Sequence, residues 1–145
     1  MEFFLELLNN GALGISIVAC FLAQFIKIFT GKNKRIELTR VLTSGGMPSS
    51  HSSFVTSLAT VVGLEKGFNS TDFAITAVLA LIIMYDAAGV RRAVGKQAII
   101  LNQIVNDIQH NKPIEQKKLK ELIGHTPMEV WFGGLLGVLT ALVLI

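Results

Sequence analysis

The chain has 145 residues, enough for one domain, of which 51% are hydrophobic, and its net charge is +3. A mean hydropathy of +0.57, with the charges clustered rather than spread, excludes an ordinary water-soluble domain of this size and describes a small integral membrane protein, one domain over residues 1–145. The single cysteine, Cys20, lies inside an apolar run and excludes both a disulfide framework and a thiolate metal cluster.

The chain opens with "EFFLELLNN", which reads as a short interfacial helix. Glu2 and Glu6, with no basic residue before Lys27, argue against a secretory signal peptide. Four apolar runs follow. The first, Gly11 to Thr30, is long enough to span a bilayer. The second, "HSSFVTSLATVVGLEKG", is rich in Ser and Thr, and from His51 to Leu64 it makes only about 21 Å of helix. It is too short to cross in contact with lipid, but its hydroxyls suit the inside of a bundle. The third runs from Asp72 to Val90. Beyond it, "RRAVGKQAIILNQIVNDIQ" has helical periodicity and either continues the third helix or bends at Gly95. Pro113 breaks this helix, and "IEQKKLKELIG" reads as a short amphipathic helix ending at Gly124. The fourth run is Met128 to Ile145. The expected architecture is an all-α membrane bundle of about four transmembrane helices with short amphipathic or interfacial helices.

If all four runs cross, every Lys and Arg except Lys66, of thirteen in all, falls on one side of the membrane. The positive-inside rule makes that side cytoplasmic and puts both termini outside. A bacterial plasma membrane is the expected location.

Polar residues gather on the same side. Lys27 closes the first run, "PSSHS" opens the second, Asp86, Arg91 and Arg92 close the third, and "GHTPMEV" opens the fourth. Polar groups at this depth are costly unless they face a site or a water-filled cavity. In "TSGGMPSSHSSF", Gly46 permits close backbone approach, Pro48 precedes the helix, and Ser49 and Ser50 add hydroxyls at a helix N-terminus, a natural anion site. Serine capping after a glycine-rich turn explains the same residues, though not His51. His125 and Glu129 stand four apart, so a helix starting near Thr126 puts them on one face. The carboxylate can then fix the imidazole tautomer and activate its other nitrogen. A polar cap with Pro127 in the first turn is the plainer reading. Arg91 and Arg92 suit phosphate oxygens, with Asp86 positioned to orient one of them; adjacent helical residues diverge by about 100°, so one of the pair faces a site. The three histidines, 51, 110 and 125, show no metal-binding spacing. There is no Walker-type nucleotide loop, and no nucleic-acid partner is expected.

"GGMPSSHS", "DAAGVRRAVGKQAIILN" and "LKELIGHTPMEVWFGGLLG" together resemble the divergent membrane branch of the type 2 phosphatidic acid phosphatase and vanadium haloperoxidase superfamily. The resemblance implies a helical bundle and a metal-independent, cofactor-free phosphatase working through a phosphohistidine. It makes His125 the nucleophile, Glu129 its orienting carboxylate and His51 the general acid. Lys27, Arg40, Ser49, Ser50, Arg91 and Arg92 would hold phosphate, supported by Asp86, Gly46 and Pro48. This chain departs from the superfamily motifs: Ser50 replaces a glycine, Val41 follows Arg40 in place of proline, and Leu119 stands where an arginine is expected. The resemblance implies a phosphorylated membrane lipid as substrate: phosphatidylglycerol phosphate, phosphatidate or a prenyl (di)phosphate. The alternatives are a non-catalytic lipid-phosphate binder or a small transporter on the same scaffold. A homo-oligomer is compatible with either.

Overall fold

The computed structural model describes residues 2, 5–6, 9–30, 46–108 and 124–145, with the side chains of Arg91, Arg92 and Asp107 excepted. Glu2, Leu5 and Glu6 are helical and exposed. The "IEQKKLKELIG" segment up to Ile123, His110 and Arg40 lie outside the described residues.

Helix α1 spans Gly11–Phe29 and begins where the Asn10 side chain accepts from the Leu13 N–H at 3.0 Å. Its 19 residues reach about 28 Å, close to the thickness of a bilayer core. One stripe is buried, Ser16, Ala19, Ala23 and Lys27. The first three are small, so a neighbouring helix can approach closely. The opposite face carries exposed Phe21, Phe25 and Phe29, as expected of a lipid-facing surface.

Helix α2, Ser50–Lys66, is the centre of the bundle. It packs on α1, on α3 (Thr71–Ala88) and on α5 (Pro127–Leu144). Among the described residues, three stretches are long and apolar enough to cross a membrane: Gly11–Phe29, Thr71–Asn106 and Pro127–Leu144. The short, hydroxyl-rich α2 is not among them; they surround it. Its hydroxyls bond neighbours as the sequence predicts. Ser53 Oγ donates to Ala19 O of α1 at 3.0 Å, and Thr56 Oγ1 donates to Gly134 O of α5 at 2.9 Å. Such bonds between helices in a membrane contribute about 0.6 kcal/mol each on average.

The α2–α5 contact depends on glycines. A Cβ at Gly133 would overlap the Ser49 backbone, and one at Gly137 would overlap the Ser53 carbonyl and the Thr56 hydroxyl. The Gly-x-x-x-Gly spacing therefore lets two backbones touch.

Ser70 caps α3 by accepting from the Phe73 N–H at 3.1 Å. Helix α4, Val90–Ile108, follows directly. The helical path is interrupted at Gly89 (φ −101°, ψ −80°), while α4 runs through Gly95 without a break. Of the two expectations, the segment continues the third helix past an interruption at Gly89, and the bend at Gly95 is not found. Ala87 O, two residues before Gly89 on the helix wall, accepts the main-chain N–H of His125 at 3.0 Å, which favours a kink in the ladder. Among the described residues there is no strand, and the architecture is an all-α membrane bundle.

Candidate functional site

Four helix ends meet at one end of the bundle. Lys27 lies in the last turn of α1, Ser50 opens α2, Ala87 closes α3, and His125 precedes α5. Two main-chain bonds lock them in register. His125 N–H donates to Ala87 O, and Ser49 N–H donates to Glu129 O at 2.9 Å. The start of α2 is therefore tied to the first turn of α5, and the start of α5 to the end of α3.

At α5, Thr126 is the N-cap and Pro127 stands in the first turn. Glu129 completes a capping box: its Oε2 accepts from the Thr126 N–H at 2.9 Å. The same oxygen lies 3.3 Å from His125 Nδ1. A carboxylate only accepts, so the proton sits on Nδ1 and the Nε2 lone pair is free to act. His125 is 2% exposed, and its Nε2 is buried with no protein partner. A buried polar atom left in this way normally has a ligand or water to satisfy it.

At α2, the two readings of "PSSHS" divide along the stretch. Ser49 is the cap: its hydroxyl accepts from the Ser52 N–H at 3.3 Å and from Ser52 Oγ at 3.0 Å. Ser50, also buried, accepts instead from Lys27 Nζ at 3.5 Å. Ser50 opens the helix, so it stands at the positive end of the α2 dipole. His51 is exposed, and its ring centroid lies 6.2 Å from that of His125 at 64°. Both rings thus border one space, the outer one in reach of solvent. Gly46 leads in with φ +87°, a left-handed conformation that favours glycine, and Pro48 is buried.

Asp86 is half-buried in the last turn of α3, one residue before Ala87. Arg91 and Arg92 belong to the first turn of α4, but their side chains, like the whole of Arg40, lie outside the described residues. Sequence reading overlooked Gly133, whose missing Cβ admits Ser49 to the wall of α5. The spacing in "FGGLLG" was the available signal.

Burial pushes the His125 imidazole below its ordinary value, and the Lys27 charge lowers it further; Glu129 opposes both, and His51 adds a small downward push. The balance favours the neutral ring. For a reaction that uses the neutral ring, the acid limb of kcat/KM falls below the usual imidazole range. Lys27→Met should move this limb up and Glu129→Gln should move it down, measured as kcat/KM against pH. Limbs that move together, or not at all, would contradict this electrostatic account.

The chain matches the model of a family described as the divergent PAP2 family over residues 8–140. It is 44% identical over 153 aligned residues to the "Uncharacterized membrane protein YuiD" of Bacillus subtilis, an alignment covering 97% of each chain. No solved structure matches.

Proposed function

The chain belongs to the divergent PAP2 family, and from that premise we propose that it is a membrane lipid phosphate phosphatase acting through a phosphohistidine on His125. One observation carries the reading: a buried imidazole whose Nδ1 is held by Glu129 and whose Nε2 has no protein partner. A lysine and a second histidine stand beside it.

The chemistry follows from those positions. The phosphate of a lipid phosphomonoester lies between the two rings, held by the Lys27 ammonium, the Ser50 hydroxyl and the positive N-terminal end of α2. His125 Nε2 attacks phosphorus, and the bond to the lipid oxygen breaks. His51, protonated, gives that oxygen its proton and leaves as neutral imidazole. Water then attacks the phosphohistidine. His51 takes the water's proton, inorganic phosphate departs, and His125 is restored. Glu129 holds the ring through the imidazolium-like stage and stabilises its positive charge. In this reading the arginines at 40, 91 and 92 add charge around the phosphate. The site opens on the cytoplasmic face of a bacterial plasma membrane, with both termini outside. A phosphorylated lipid made at the inner leaflet, phosphatidylglycerol phosphate above all, fits that side.

The placement of Leu119 where the superfamily carries an arginine favours a second reading, a lipid-phosphate binder without turnover. Acid-labile, base-stable 32P on His125 after rapid quenching with labelled lipid phosphate would decide for the enzyme. Tight binding of the same lipid with no label and no released phosphate would decide for the binder.

A further inference from the structure

Helix α4 differs from every helix packed in the bundle. Thr71–Asn106 forms a run of 36 residues, about 54 Å of helix, whereas a bilayer core is about 30 Å thick. Helix α3 alone accounts for 18 residues, or about 27 Å, and so spans the core. Helix α4 is therefore left outside the hydrocarbon.

It is not built for water. Val90, Val94, Leu101, Ile104 and Ile108 fall within about 40° of one line along the helix, and they are 43–74% exposed. Gln97 is the one exposed polar residue on that line, and the opposite side carries exposed Lys96 and Gln103 with Ile99 beside them. A separate flank at Gly95 and Ala98 is buried against the protein, so the aliphatic line remains after the protein has covered its own share. Strong segregation of faces with low overall hydrophobicity marks a helix that lies in a membrane interface. Charge agrees with this. Arg91, Arg92 and Lys96 stand in the first two turns, against one acid, Asp107, near the end. Basic residues beside a membrane span attract anionic headgroups. The interruption at Gly89 lies where the span ends, beside the Ala87 carbonyl that holds His125.

We propose that α4 lies in the headgroup layer of an anionic lipid leaflet, its Val90–Val94–Leu101–Ile104–Ile108 line among the acyl chains. It thereby holds the bilayer surface level with the mouth of the His51–His125 site. The placement is independent of whether the site turns over its ligand.

The test uses full-length protein carrying Cys20→Ala, reconstituted in vesicles of phosphatidylcholine and phosphatidylglycerol. Nitroxides are placed singly at Leu101, Ile104, Lys96 and Gln103, with Ile82 of α3, a 61% exposed span residue, as the lipid control. The expected result is that labels at 101 and 104 lose collisions with a water-soluble nickel chelate down to the level of Ile82. Labels at 96 and 103 stay open to it. Two positions per face make the outcome independent of any one replacement. Equal water access at all four positions would overturn the proposal. So would spectral broadening at 101 and 104 that disappears on dilution with unlabelled protein, because a second copy would then occupy the face.

Discussion

Replacing His125 with alanine should lower phosphate release from a lipid phosphomonoester by about 10⁴-fold or more, the scale on which loss of a nucleophile acts. The fold should survive. The bond from residue 125 to Ala87 O is made by the main chain, which alanine retains, and Glu129 still caps the Thr126 N–H. His51→Ala should cost about 10²- to 10⁴-fold, as loss of a general acid does. Its defect should shrink when the leaving group is p-nitrophenolate, which needs no proton, while that of His125→Ala should not. This crossing of variant with leaving group separates the two histidines by role. Wild-type rates in both variants would remove the phosphatase reading altogether.

The second large effect is structural and spreads into the site. Gly133→Ala places a methyl group against the Ser49 backbone, whose N and C atoms would lie 2.9 and 3.0 Å away. Gly137→Leu drives a larger group into Ser53 and Thr56. Overpacking of this kind costs about 1–3 kcal/mol, and more where backbone must move. Gly137→Leu should therefore fail to give a stable bundle in detergent, read as a lost or strongly lowered Tm. Gly133→Ala should melt earlier and also lose activity, because the displaced segment carries Ser50 and His51. Gly134→Ala is the control. Its nearest neighbour is Met84 Cε at 3.3 Å, the flexible end of a side chain, so its Tm should stay close to wild type. Equal effects in all three would show that the glycines act through helix propensity rather than close approach.

The helices were legible because each is punctuated by residues with one physical meaning. Asn10, Ser49, Ser70 and Thr126 are caps, and Pro127 stands in a first turn where its missing N–H costs nothing. The Ser-rich run read correctly as an enclosed helix, because hydroxyls facing lipid would have no partners. The His125–Glu129 pair followed from the four-residue spacing. The sequence left a continued helix and a bend at Gly95 open because "GVRRAVG" holds two glycines, and only the packing of His125 against Ala87 marks the first as the interruption. The bonds joining helix ends were illegible for a different reason. Ser49 N–H to Glu129 O and His125 N–H to Ala87 O use main-chain groups, which every residue but proline has, so side-chain identity leaves no trace of them. The serines of "PSSHS" were ambiguous for the same reason. Ser49 and Ser50 are chemically alike, and only the position of Lys27 gives them different tasks.

The enclosure of α2 also bears on how the protein is made. Its serines and threonines give it little tendency to leave the translocation channel for lipid unaided. It enters the membrane favourably only when α1 and α3 are there to meet its polar surface. Its remaining side rests on α5, which follows the other described helices in the chain. Ser50 and His51 are therefore held in place only when α5 is docked. A chain that stops before Pro127 carries both histidines but not the helix that closes the pocket between them.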